Sequence, residues 1–231
     1  MYLRIVKPLL DFLGALLLLA ALWPLLLLLA AVGAIAMRGN PFFSQPRPGK
    51  DERIFRILKF RTMSSARDAE GNLLPDGLRL NAYGRFLRST SLDELPELLN
   101  ILSGRMSFVG PRPQLVRDMV FMTPEQRRRH SVRQGLTGLA QVNGRNAVSW
   151  DAKLAFDLEY VRRVMLAGDL KILLATLSGV FRREGVVEEG SDTATDFGDF
   201  LLASGRIGRE EYDRGQEEAR RLLEAAGAGE R

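Results

Sequence analysis

The chain has 231 residues, 46% of them hydrophobic and 26% charged, with one histidine and no cysteine. That excludes disulfides, thiolate metal sites, cysteine nucleophiles and His-cluster metal centres. The net charge of +5 is uneven: residues 1–187 hold 27 Lys/Arg against 16 Asp/Glu, and residues 188–231 hold 6 against 12, so a basic body that calls for an anionic partner precedes an acidic end.

The first predicted element is apolar. Phe12 to Met37 is a run of 26 residues without a charge, long enough to cross a membrane. Pro24 stands near its middle, where it removes a backbone hydrogen bond and clashes with the preceding turn. Each half is then about 13 residues, or roughly 19 Å of helix, short of a hydrocarbon core of ~30 Å. Arg4 and Lys7 flank one end, and Arg38, Arg47 and Lys50 the other. Positive flanks favour the cytoplasmic side. A kinked single span and a segment that bends at Trp23-Pro24 and returns to the same face are equally compatible with these residues. Asp11 is placed to pair with Lys7 at i,i+4.

Residues 38–52 read as a Pro/Gly-rich linker. The stretch 53–63, "RIFRILKFRTM", alternates with period two and predicts a strand. Residues 64–80 are polar and predict a loop. "TSLDELPELLN" (90–100) opens a helix running to Ser103. Ser91-Leu92-Asp93-Glu94 fits a capping box, but Asp93 as N-cap leaves Pro96 in the first turn, where proline is tolerated. Leu95, Leu98, Leu99 and Leu102 then form the buried stripe. "SFVGPRPQ" (107–114) predicts a short strand and a rigid turn, followed by a helix. A basic helix is expected over 124–133, with His130 in a solvated stretch. Residues 135–149 read as a Gly-rich loop, and 150–166 and 169–183 as helices, the second capped by Asp169. Residues 208–225 read as a solvated amphipathic helix.

Asp93 and Glu94, at a helix N-terminus among arginines, suit an ionised carboxylate beside phosphate. Such a group either attacks phosphorus to give an acyl phosphate or holds Mg²⁺. By spacing alone the pair is a weak signal, and a cap plus a surface acid is the reading it favours. Nucleic acid is the weaker partner, since no stripe of basic and aromatic residues occurs. No G-x-G-x-x-G, Walker A or D-x-D motif is present.

"KFRTM", "SLDELPELLNIL", "MSFVGPRP" and "GLTGLAQVNGR", behind a Pro-broken apolar segment, resemble the bacterial sugar transferase family. These are the monotopic phosphoglycosyl transferases, and the likeness is to the small PglC-type members over about residues 2–197. The resemblance implies an α+β, mostly helical catalytic domain on the cytoplasmic face of the bacterial inner membrane, with interfacial amphipathic helices. It implies a re-entrant membrane helix (1–38) broken at Trp23-Pro24, a catalytic domain (39–187) and an acidic C-terminal segment (188–231). The implied reaction transfers sugar-1-phosphate from a UDP-sugar to undecaprenyl phosphate, releasing UMP, by a ping-pong route. Asp93 is the implied nucleophile, and Glu94 with Asp93 the implied Mg²⁺ site. Lys59, Arg88, Arg112, Arg145 and Asp157 are candidate substrate ligands, Asp157 being equally read as a structural salt bridge. Residues 183–199 resemble members that use UDP-N,N′-diacetylbacillosamine, with UDP-GlcNAc and UDP-GalNAc as alternatives. A scaffold that keeps the fold without catalysis, and a glycosyltransferase releasing UDP, are the competing readings.

Overall fold

A computed structural model describes residues 1–144, 148–181 and 195–227. In chain order the elements are α1 (Lys7–Ala36), β1 (Phe42–Pro48), β2 (Ile54–Phe60), α2 (Asp76–Arg79), α3 (Ala82–Thr90), α4 (Glu97–Leu102), β3 (Met106–Val109), α5 (Val116–Met119), α6 (Pro124–Arg127), β4 (Gln134–Thr137), α7 (Leu139–Val142), α8 (Trp150–Arg162), α9 (Leu166–Phe181), α10 (Phe197–Ala203) and α11 (Arg209–Ala225). Helices dominate, with two two-stranded sheets, β1-β2 and β3-β4; the fold is α+β. Two compact units are interleaved along the chain. One is built from residues 1–45, 57–104 and 174 onward in α9, the other from 46–56, 105–173 and the C-terminal helices.

In the first unit α1 is a single helix long and apolar enough to cross a membrane. Helix continues through Pro24: the expected break at Trp23-Pro24 is not an interruption of helical structure. One missing backbone donor is a local loss that the turns on either side can bridge. Trp23 is exposed, while Lys7 and Asp11, one turn apart, are both buried. Leu25, Leu26, Leu29 and Ala30 of α1 share a core with Phe60, Tyr83, Leu87, Leu92 and Leu95. Asn81 caps α3 through Gly84 N and also donates to Ala36 O at 3.1 Å, on the last turn of α1.

The expected strand over 53–63 is β2. The helix expected from Asp93 begins later. Ser91 takes a left-handed backbone, Leu92–Glu94 form a 3-10 turn, and α4 starts at Glu97 with Pro96 at its N-cap. Asp93 is therefore not the cap. The later start rotates the buried face onto Glu97, Leu98 and Ile101 and leaves Leu99 48% exposed, which corrects the leucine stripe.

In the second unit β3 and β4 pair in parallel, with Met106 opposite Gln134, Ser107 opposite Gly135 and Val109 opposite Thr137. The segment read as a Gly-rich loop thus begins as a strand. Its glycine permits close approach, since a Cβ on Gly135 would sit 2.1 Å from Gly110 N. The basic helix stops at Arg127, and a 3-10 turn, Arg128–Ser131, turns Arg129 and His130 inward. Both are buried, so the solvated placement expected for His130 is wrong. Asp169 lies inside the first turn of α9, not at its cap, and accepts from Tyr160 Oη at 2.9 Å.

The C-terminal helices pack on this unit. Phe197 and Leu201 join Met122, Trp150 and Leu154 in one core, and Ala219 meets Val116 and Met119 in another. Helix α11, expected to be solvated, therefore has a buried face. Along α9, Leu166, Leu170, Leu174 and Leu177 are exposed at helical spacing, leaving an apolar stripe on the surface of that helix.

Candidate active site

The acid pair sits on the one-turn link between α3 and α4. Its geometry follows from its neighbours. Leu92 precedes Asp93, Leu95 follows Glu94, and both leucines are set into the core shared with α1. Lys59 adjoins Phe60, and Arg88 adjoins Leu87, which with Leu29 are the buried centres of the same core. Four charged side chains of the sequence motifs are thus each carried by a residue packed against the apolar helix.

Lys59 Nζ donates to Glu94 Oε1 at 2.7 Å and lies 3.1 Å from Glu97 Oε1. Glu97 is buried while Lys59 and Glu94 are partly exposed. An ammonium between two carboxylates offsets the desolvation cost of the buried one and orients the other. The Leu58 amide donates to Asn100 Oδ1 at 3.0 Å, tying α4 to β2. Arg88 Nε donates to Thr62 Oγ1 at 3.2 Å. Lys59 therefore serves the carboxylates directly. Glu97 was not singled out from the sequence, where "DELPE" presents it as one more surface acid.

The second unit holds the other candidates. In "GPRP" the Gly110 amide donates to Thr137 O and the Gly135 amide to Pro111 O, both at 2.9 Å. Arg129 Nη2 donates to Arg112 O at 2.6 Å. The backbone on both sides of Arg112 is pinned, with prolines restricting it further. The same guanidinium is fully buried and gives two bonds to Asp157 Oδ2, 2.9 Å from Nε and 2.7 Å from Nη2. Burial raises the Asp157 carboxyl above the usual range, and Arg129 opposes it. Asp157 is 2% exposed: it takes the place of a structural ion pair whose output is the position of Arg112. Arg129 was missed because "RRRH" reads as solvated charge. Arg145 lies outside the described residues.

No group of three or more His, Asp or Glu able to hold a metal occurs among the described residues. A magnesium ion fits on other terms. It is commonly bound by one or two carboxylates, with substrate phosphates and water completing the shell, and Asp93-Glu94 supplies such a pair on one turn.

Residues 2–183 match the family described as "Bacterial sugar transferase". The chain belongs to the bacterial sugar transferase family. It is 45% identical to "Uncharacterized sugar transferase EpsL" of Bacillus subtilis, over 84% of this chain and 96% of that one. It is 40% identical to "UDP-glucose:undecaprenyl-phosphate glucose-1-phosphate transferase" of Caulobacter vibrioides, over 74% and 68% respectively. It is 35% identical to "UDP-galactose-lipid carrier transferase" of Erwinia amylovora, over 79% of this chain and 42% of that protein. The family's match ends at 183, so α10 and α11 of this sugar transferase lie beyond it.

Proposed function

We propose that this sugar transferase moves sugar-1-phosphate from a UDP-sugar to undecaprenyl phosphate and releases UMP, as a first membrane step of glycoconjugate synthesis. The observation that carries the reading is the shared core: residues next to Lys59, Arg88, Asp93 and Glu94 pack on Leu25–Ala30 of α1. Charged chemistry is thereby built onto an apolar helix, which suits an acceptor that is a lipid with a phosphate head. In this reading both ends of α1 stay on the cytoplasmic face, which would require its axis to turn at Trp23-Pro24 without a loss of helical structure, and the enzyme is monotopic.

In the proposed ping-pong route a carboxylate oxygen of Asp93 bonds to the phosphorus that carries the sugar, and the bond from that phosphorus to UMP breaks. A phosphate oxygen of undecaprenyl phosphate then attacks the same phosphorus and frees the carboxylate. Glu94, with Asp93, would hold Mg²⁺; when bound, the ion screens the repulsion between carboxylate and phosphate. Lys59 sets the orientation of Glu94, and Arg88 and Arg112 are phosphate ligands.

The relatives' names favour UDP-glucose or UDP-galactose as donor. UDP-N,N′-diacetylbacillosamine, UDP-GlcNAc and UDP-GalNAc complete the panel. The stretch that suggested the first of these, 183–199, lies largely outside the described residues. Purified enzyme given this panel and undecaprenyl phosphate should release UMP with one donor, and Asp93→Asn should release none. Release of UDP, or no UMP with any donor, overturns the reading. Trapping of labelled sugar-phosphate on the wild type tests the covalent step, and a sequential kinetic pattern without an adduct removes it.

A further inference from the structure

Asparagine is a poor helix former, and its side chain competes with the backbone for hydrogen bonds. Asn100 nevertheless stands inside α4, between Leu99 and Ile101. It is 6% exposed, on the same face as Leu98 and Ile101, which are buried. A leucine there would extend the apolar face. The amide has a task instead. Strand β2 pairs only with β1, so the other edge of β2 needs acceptors of another kind. Asn100 Oδ1 takes the Leu58 amide at 3.0 Å.

The bond bears on the residue that follows. Leu58 and Lys59 are consecutive in β2, so a shift of the backbone at one carries the other. Glu97 and Asn100 are three apart on α4 and share a face. That face meets β2 at two polar points: Glu97 Oε1 lies 3.1 Å from Lys59 Nζ, and Asn100 Oδ1 3.0 Å from Leu58 N. The first holds the tip of a flexible four-carbon stem. The second holds the backbone at the root of that stem. Lys59 Nζ also donates to Glu94 Oε1 at 2.7 Å, on the turn that leads into α4. The Leu58 bond thus sets how far the root of Lys59 stands from the acids its tip must reach.

We propose that Asn100 is a positioning residue: it pegs β2 to α4 and so holds Lys59 against Glu94. That Glu94 serves transfer from a UDP-sugar rests on the function proposed above; the peg itself rests on these three distances.

Acetylation of the detergent-purified protein, read by mass spectrometry, follows Lys59 without turnover. In the wild type Lys59 should react far more slowly than Lys50, which is exposed. Asn100→Leu, similar in size but without an acceptor, should raise the Lys59 rate about tenfold, equivalent to one pKa unit. Asn100→Asp keeps the shape and the acceptor and should leave Lys59 slow. The aspartate variant decides the matter even where the leucine variant does not fold: Lys59 as reactive there as Lys50 overturns the peg. UMP release then separates positioning from stability. Asn100→Leu should lower kcat by roughly a hundredfold, the loss from a misplacement of about 1 Å, with the KM for UDP-sugar little changed. Lys59→Met with Asn100→Leu should lose no more than Lys59→Met alone, since Asn100 acts through Lys59. Losses that multiply, full turnover in Asn100→Leu, or an unchanged Lys59 rate in that variant overturns the proposal. A Lys59 released by Asn100→Leu, with no wild-type turnover of any UDP-sugar, keeps the peg and removes the transferase reading. Wild-type turnover with Lys59 unaffected by Asn100→Leu does the reverse.

Discussion

The hydroxyl of Tyr83, on α3, donates to the backbone carbonyl of Leu29, on α1, at 2.7 Å. Gly33, one turn further along, makes room for this contact: a Cβ there would sit 2.8 Å from the hydroxyl and 3.0 Å from Pro41 Cβ. Gly33→Ala should therefore part the two helices and cost about 1–3 kcal/mol, read as a lower unfolding midpoint in detergent. Tyr83→Phe should cost about 1 kcal/mol. In the double variant the nearest obstacle is gone, so its loss should fall short of the sum; strict additivity would show that the two groups do not meet.

Glu97→Gln tests the carboxylate arrangement around Lys59. With one negative partner removed, the ammonium is drawn more fully to Glu94 and competes better with a divalent ion. The magnesium concentration for half-maximal UMP release should rise about tenfold, equivalent to about 1.4 kcal/mol, with the unfolding midpoint lowered only modestly. Wild-type enzyme in excess chelator should be inactive and should recover on adding magnesium. Full activity in chelator would remove the metal from the scheme.

Asp157→Asn should be severe. It leaves the Arg129 guanidinium buried without its counter-charge, a loss of about 3–5 kcal/mol, measured by urea unfolding. Replacing both partners with apolar residues, Arg129→Met with Asp157→Leu, should restore much of that stability. It should not restore catalysis, because the bond from Arg129 to the Arg112 carbonyl is gone; recovery of full turnover would separate Arg112 from this support.

His130 predicts a pH dependence. Burial, with the nearby Arg129 charge, lowers its pKa to about 3, whereas the unfolded chain titrates near 6.5. Between those values the unfolded state binds the extra proton, so stability rises with pH. The contribution is complete above about pH 6.5 and shrinks by about 1.4 kcal/mol per unit as the solution is acidified toward 3. Urea midpoints should rise more steeply from pH 4 to pH 7 for the wild type than for His130→Asn. Parallel slopes would mean that the imidazole is solvated.

Phe121 lies between the C-terminal helices, where a Cβ on Gly198 would come within 2.5 Å of its ring and one on Gly215 within 2.4 Å. Gly215→Ala should lower the melting temperature by forcing the ring aside. A chain ending at residue 194 loses Phe197, with about 1.5–3 kcal/mol for burying that side chain alone, and deprives Asp118 of its Phe197 amide. It should be poorly soluble or inactive, and a fully active short form would show the helices to be dispensable.

The acid pair, the GPRP turn and the apolar segment were legible because each is a dense local pattern. What escaped was set by distance or by phase. Glu97 looks like a surface acid until β2 brings Lys59 to it. A single 3-10 turn after Arg127 turns Arg129 and His130 inward, and a charge-rich string carries no sign of that rotation. The pairing of β3 with β4 joins residues 28 apart, Met106 with Gln134, too short a match to show in alternation. Starting α4 at Glu97 instead of Asp93 was enough to move Leu99 from the buried face to the surface.

The core that joins Leu29 to Phe60 and Leu87 has a practical consequence for dissection of this enzyme. Its hydrophobic N-terminal helix is not a detachable tether. Cutting it away would strip the cover from those rings and aliphatic chains, and the trimmed remainder would be expected to clump before it could be assayed in buffer.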